Sequence, residues 1–263
     1  MANHIKGARL VIKLVKAKLN QRWEIILPKH RAERPEWKEL DGWEGPRLLS
    51  MSKNIGKGDV VYYVGAELGE MSALCAKWGA DTVLFEPNYK SWPSIRQTYE
   101  ANNLKKPLFN FLGFASNKTQ LEPTKPDTAL NLEFGNTGDG WPECADGEIE
   151  PAHGFSELVN EADGLPQIKI DDVVRLKGIA PPTVITFDCE GSDWEVLKGA
   201  EETLRKYKPI IYASWHPEFA FDQWGTYLGD CRNWVKDFGY EERLIDYQHE
   251  VHMVYWPKGT ELR

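Results

Sequence analysis

Apolar and polar positions along this chain follow two rhythms that take turns. Around residues 59–64, 82–86, 108–114, 183–188 and 209–214, short runs of β-branched and aromatic residues predict strands. Between them, apolar residues recur at helical spacing. Met71, Leu74, Cys75 and Trp78 mark one face, and Trp92, Ile95 and Tyr99 a second. Trp194, Leu197, Ala200, Leu204 and Tyr207 mark a third face. Leu228, Cys231, Trp234, Val235 and Phe238 mark a fourth, with Gly239 following as a C-terminal cap. The alternation predicts an α/β protein, a largely parallel sheet covered by helices. Then the rhythm changes. "YEERLIDYQHEVHMVYW" reads as two strands around a short polar turn, an antiparallel hairpin closing the sheet at its edge.

Two segments stand outside this pattern. In residues 1–31, eight Lys/Arg face a single acid, Glu24. Ile5, Leu10, Val11, Leu14, Val15 and Leu19 fall near one face at helical spacing, and Lys6, Arg9, Lys13, Lys16 and Lys18 cover much of the rest. The pattern predicts a basic amphipathic helix over residues 5–22 within an N-terminal extension, residues 1–50. Such a helix either rests on an anionic membrane or protein partner, or docks on the domain with its lysines in water. Residues 115–165 are acidic, rich in Gly and Pro, and too long for an ordinary connection. They read as a flap beside a site, or as an insertion without order. Residues 51–263 then form the main domain.

Charge narrows the partners. The chain carries a net −8, and once the +7 of its first 31 residues is set aside the remainder stands at about −15. That balance argues against a nucleic-acid-binding surface over the body of the protein. No apolar run approaches the roughly 18–20 residues of a membrane span. Lys13 interrupts the N-terminal apolar stretch and no small-residue cleavage site follows, so a secretory signal is not expected. Cys75, Cys144, Cys189 and Cys231 lie far apart without metal-binding spacing, as suits a reducing, cytoplasmic compartment.

Three stretches carry candidate chemistry. "DVVYYVGAELGE" runs a strand into a small-residue turn and then a helix. Gly65 and Gly69 permit a sharp bend and close approach to a ligand. Glu86 ends the next strand about 20 residues on, where a carboxylate accepts the hydroxyl protons of a ribose, and Pro87 stops that strand. A dinucleotide fingerprint would need glycine at Glu67 and Glu70, and two carboxylates would repel a pyrophosphate. A ligand with an adenosine and an ammonium but no phosphate fits better: S-adenosylmethionine. In "TFDCEGSDWEVLKGAEETL", Asp188 and Glu190 end a strand, and period-two geometry would put them on one side and Cys189 on the other. His216, in "YASWHPEF", follows the next strand and could reach the same rim as a general base. Nothing in the spacing of Asp188, Glu190 and His216 demands a metal, and none is expected.

In order, "VVYYVGAELGEMS", "VLFEPN", "IKIDDVV", "TFDCEGSDWEVLKGA" and "HPE" resemble the FkbM family of S-adenosylmethionine-dependent methyltransferases over about residues 55–256. The resemblance implies the class I methyltransferase fold, a seven-stranded Rossmann-like sheet with an antiparallel last strand. It implies O-methylation of a hydroxyl on a sugar, glycan or related metabolite. By position, Tyr63, Gly65, Ala66, Glu67 and Gly69 would hold the methionine part of the cofactor, and Glu86 with Pro87 the ribose. Asp188, Glu190 and His216 would lie near the reacting methyl. The chain departs from the family in three places. The family commonly has Asp at Tyr63, Asn at Glu67, and Glu at Ser214. We expect Glu67 to take over the contact with the cofactor's ammonium. The alternative is a binding protein whose altered loop has lost catalysis, and an NAD-linked reductase stands third.

Overall fold

The computed structural model describes residues 13–40, 42–121, 140–142, 144, 164–247 and 250–263. Its centre is a seven-stranded sheet in the order β10-β11-β9-β8-β3-β4-β5. The members are β3 (Val60–Val64), β4 (Asp81–Phe85), β5 (Phe109–Phe111), β8 (Val184–Asp188), β9 (Ile210–Trp215), β10 (Tyr240–Tyr247) and β11 (Val251–Pro257). β3, β4, β5, β8 and β9 pair in parallel, whereas β11 runs antiparallel between β9 and β10. The expected terminal hairpin is therefore present, with β11 inserted inside the edge. β3 is buried along its whole length, which explains its unbroken apolar run. A short parallel pair, β6 (Phe114–Ala115) with β7 (Gln167–Ile168), flanks the sheet.

Apolar side chains fill both faces. Tyr63, Leu84 and Tyr212 belong to one core with Leu74, Trp92 and Ile95 from the helices Glu70–Lys77 and Trp92–Ala101. Tyr62, Val83, Phe187 and Ala213 belong to the other with Val196, Leu204 and Val235. The helix expected across residues 194–207 is two helices, Asp193–Lys198 and Glu201–Tyr207. The break falls at Gly199, where an added Cβ would lie 1.9 Å from the Ser116 carbonyl oxygen. Asp171 caps the second helix from outside: its carboxylate accepts from the amides of Glu202 (3.0 Å) and Thr203 (2.8 Å) and from the Thr203 hydroxyl (2.7 Å).

The N-terminal expectation needs correcting. Residues 1–12 lie outside the described residues, and from Leu14 the chain is a strand. β1 (Leu14–Leu19) pairs antiparallel with β2 (Trp23–Pro28). Asn20, Gln21 and Arg22 link them; Asn20 and Gln21 have positive φ (49° and 54°), and the Arg22 amide donates to the Leu19 carbonyl at 2.9 Å, closing a tight turn. In β1, Val15, Ala17 and Leu19 are the more buried set and Leu14, Lys16 and Lys18 are exposed, a period of two. Lys16 and Lys18 belong to the outer face of a hairpin, whereas Lys6 and Arg9 lie outside the described residues. The Asn102 side chain fastens that hairpin to the domain, accepting from the Ile26 amide (2.9 Å) and donating to the Ile26 carbonyl (2.8 Å). Most of the flap expected at 115–165 lies outside the described residues. Among the described residues, no helix is long and apolar enough to cross a membrane.

Candidate active site

Chain direction reverses at β3: the chain first builds outward through β4 and β5, then returns to place β8 and β9 on the other side. Ligands of open α/β sheets bind at the carboxyl ends of strands at such a reversal. A cavity of about 820 Å³ opens there, lined by residues after β3, β4 and β8 and by the N-terminal segment.

Backbone geometry makes the first turn. Gly65 has φ +77°, and a Cβ there would lie 2.0 Å from the Asp188 carbonyl oxygen, so only glycine lets the β3 and β8 ends meet. Glu67 is also left-handed (φ +49°). Its amide donates to Glu86 Oε2 at 2.7 Å, and the Asn88 amide donates to Glu86 Oε1 at 2.8 Å. Burial pushes the Glu86 carboxyl up to about 8, opposed by those two amides. Tyr63, Gly65, Ala66, Glu67, Glu86 and Pro87 all line the cavity, as expected. Gly69 does not; it precedes the helix Glu70–Lys77 with φ +91°.

Glu67, expected at the cofactor's ammonium, already has a partner within the chain. Arg31 donates to Glu67 Oε2 at 2.9 Å and also binds Glu70, so Glu67 is already paired with a cation. Tyr63 occupies the position of the family's strand-end acid and is buried. Glu44 instead lines the cavity from the N-terminal segment. It is buried at the start of the helix Gly45–Asn54, paired with Arg47, and its Oε1 has no hydrogen-bond partner. Arg47, fully buried, donates to Thr186 Oγ1 (2.6 Å) and to the Phe187 carbonyl (3.3 Å), and lies 3.7 Å from Asp188 Oδ2. Burial opposes its charge, but Glu44 and Asp188 hold the guanidinium pKa above its ordinary value.

The second cluster forms where β8 and β9 end. β8 stops at Asp188, and Glu190 sits in a left-handed turn (φ +50°) rather than two residues along a strand. Both nevertheless line the cavity. His216 precedes the helix Pro217–Trp224. Its Nε2 lies 3.6 Å from Asp188 Oδ1 and 3.4 Å from Glu190 Oε2, so the structure brings the three expected residues together. Glu250 makes a fourth member, 3.4 Å from His216 Nε2. It also accepts from the hydroxyl of Ser214, so an acid stands beside the position where the family has Glu, contributed by the residue before β11. Desolvation and the carboxylates of Glu44 and Glu250 push the Asp188 pKa well up, against His216 and Arg47. Burial alone would lower His216, yet Asp193, Glu250 and Asp188 raise it to about 11. Neither ring nitrogen has a hydrogen-bond partner, and His216 lies behind the cavity wall.

The model of the methyltransferase FkbM domain matches residues 59–242. The chain belongs to this family. The match spans the turn after β3, Glu86, and the Asp188–His216 region, but not Glu44 or Glu250. Solved structures match the chain at low identity and low TM-score. A methyltransferase FkbM from Methylobacillus flagellatus is 17% identical with a TM-score of 0.48, covering 75% of this chain and 43% of its own. This chain thus spans less than half of that protein. A precorrin-6y C5,15-methyltransferase from Geobacter metallireducens is 10% identical (TM-score 0.44), covering 86% of this chain and 92% of its own. A T. thermophilus 16S rRNA N2 G1207 methyltransferase, solved with AdoMet and guanosine, is 12% identical (TM-score 0.46), covering 94% and 50%. No curated protein matches the chain.

Glu44, Arg47, Arg31 and Glu250 escaped the sequence reading. Glu44 and Arg47 stand three apart on a short helix, the spacing of an ion pair, but nothing in that spacing announces burial.

Proposed function

We propose that this protein is an S-adenosylmethionine-dependent O-methyltransferase acting on a hydroxyl of a sugar, glycan or related metabolite. The observation that carries the reading is the acidic lining of the cavity. Eight carboxyl groups line it (Glu44, Glu67, Glu70, Glu86, Asp188, Glu190, Glu195 and Glu250) against two guanidinium groups, Arg31 and Arg34. Burial holds several of them toward the neutral form; a ligand bearing sulfonium and ammonium charges favours their ionisation, and a dinucleotide's pyrophosphate does not. The volume is ample for a cofactor and part of an acceptor.

The cofactor supplies an electrophilic methyl group. The residues around it bind, orient and move a proton. The turn Gly65–Glu67 approaches the methionine part, Glu86 accepts from the ribose hydroxyls with its remaining lone pairs, and Glu44 offers the ammonium an unpaired oxygen. Asp188 takes the acceptor's proton and Glu190 orients the hydroxyl. Alignment of the reacting atoms contributes several kcal/mol, and a positioned base roughly 10²–10⁴-fold in rate. With His216 shielded behind Asp188, the base role passes from His216 to Asp188, and His216 positions the carboxylates.

Thermal unfolding with S-adenosylhomocysteine, and with NAD in parallel, tests the reading. A ligand at about 100 times its dissociation constant stabilises by roughly 2.7 kcal/mol, a shift of roughly 5–10 °C in a chain of this size. The expected result is a shift with the homocysteine compound alone, diminished in Glu86→Ala. No shift with either ligand would favour the second reading, a binding protein on a methyltransferase fold, which Tyr63 and the Arg31–Glu67 pair motivate.

A further inference from the structure

The wall that separates His216 from the cavity is an unusual set of donors. Asp188, Glu190 and Glu250 each place a carboxylate oxygen 3.4–3.6 Å from His216 Nε2. Hydrogen bonds from an imidazole to a carboxylate run at about 2.7–2.9 Å, and neither ring nitrogen has a hydrogen-bond partner although the side chain is only 7% exposed. Three oxygens thus crowd one nitrogen at ion-pair range, none of them in hydrogen-bonding geometry. Separations of about 3.0–3.5 Å are those between ligand atoms that share one ion at about 2.0–2.2 Å each. One ligand atom each from Asp188, His216 and Glu250 falls within 4.8 Å of the others.

We propose that Asp188, His216 and Glu250 form a divalent-cation site at the end of the cavity, with Glu190 beside it. One imidazole nitrogen with carboxylate oxygens is a mixed nitrogen–oxygen set, with hard donors in the majority. Mn²⁺ suits it better than the thiolate-seeking ions. The scaffold is built to hold the set. Glu250 is anchored by the Ser214 hydroxyl, and Asp193, fully buried, stands with Oδ2 3.9 Å from His216 Nδ1. A carboxylate that accepts from the far nitrogen of a metal-bound histidine fixes its tautomer; Asp193 is placed for that role once a small closure brings it within bonding distance. Asp188 and Glu190 reach the cavity at 23% and 45% exposure, so the ion would keep positions open toward an acceptor.

Its role in catalysis rests on the methyl-transfer reading; its binding does not. With the ion in place, Asp188 is a ligand rather than the base. The acceptor hydroxyl coordinates the ion and releases its proton to Glu190. The oxygen's electron pair forms the new C–O bond, and the pair of the breaking C–S bond stays on sulfur. The ion is neither consumed nor changed in charge.

Titrating the full chain with Mn²⁺, and following the spin resonance of the free ion, tests the site. The expected result is one bound ion per chain, with affinity reduced tenfold or more in Glu250→Gln and in His216→Gln, at least the effect of losing a supporting residue (roughly 10–100-fold). S-adenosylhomocysteine binding, measured on the parent in the same experiment, keeps the ion site and the transferase reading separate. No binding at millimolar Mn²⁺, or equal binding by parent and variants, overturns the proposal and leaves the carboxylates holding an imidazolium. Mn²⁺ binding as expected without any homocysteine-compound binding would strike the transferase reading and keep the site. If His216→Gln does not fold, Glu250→Gln decides alone, since its amide retains an acceptor for Ser214.

Discussion

Replacing Arg47 with methionine would isolate the cost of the charge buried beneath the cavity. Arg47 and Glu44 are both shut from water, and Glu44 Oε1 already lacks a partner. Methionine fills much of the volume but leaves Glu44 facing Asp188 without a cation between them. Removing one member of a buried pair costs about 3–5 kcal/mol. At roughly 2–4 °C per kcal/mol in a domain of this size, the midpoint should fall by roughly 6–20 °C. The double variant Glu44→Gln, Arg47→Met removes both charges and should recover on the order of 2 kcal/mol of that loss. Urea unfolding of the parent, both single variants and the double variant gives the cycle. Acidity supplies a second check. Burial raises the Glu44 carboxyl in the folded chain despite Arg47, and removing Arg47 raises it further. A raised carboxyl favours the folded state at low pH and that support fades as pH rises, so the Arg47→Met penalty should be smaller at pH 5 than at pH 8. An Arg47→Met variant within about 1 kcal/mol of the parent, or a double variant as unstable as the single, would refute the argument.

Two further substitutions probe the scaffold. Gly65→Ala forces a side chain into a left-handed position 2.0 Å from the Asp188 carbonyl oxygen; the conformation alone costs about 1–2 kcal/mol, and the clash must also part the ends of β3 and β8. Melting and homocysteine-compound binding should both suffer, and a variant that matches the parent in both would contradict the geometry. Asp171→Ala strips the helix Glu201–Tyr207 of three hydrogen bonds at its start and should cost about 1–3 kcal/mol. Ligand binding should survive, because Asp171 does not line the cavity; a loss of stability too small to measure would disprove the cap.

The sheet was legible because its strands are apolar for a single reason. β3, β4, β8 and β9 lie in the centre, covered on both faces, and begin and end within about a residue or two of the apolar runs that predict them. The N-terminal hairpin was not legible in the same way. "LVKAKL" spaces Leu14, Val15 and Leu19 so that a helix and a strand both explain it, and only the Asn20–Gln21 turn distinguishes them. Glu190 was placed correctly for the wrong reason: a left-handed turn, not strand alternation, brings it beside Asp188. On the proposed reading, the acids that the family has at Tyr63 and Ser214 have counterparts in Glu44 and Glu250. Those substitutions across space leave no periodic trace, since each comes from a segment whose own pattern serves another purpose.

The span of those counterparts has a consequence for how the protein is made. Arg47 leaves the ribosome long before Thr186 and Phe187, its partners 139 and 140 positions later. Glu250 follows later still, near the end of the chain. Until both arrive, Arg47 has only Glu44 to pair with and must remain hydrated, since contacts this distant in sequence form late. The cavity is therefore among the last features to assemble, after the strands that frame it. Ligand binding at this site would then report that synthesis has passed Glu250: a product stalled before β11 could hold much of the sheet and still lack the pocket.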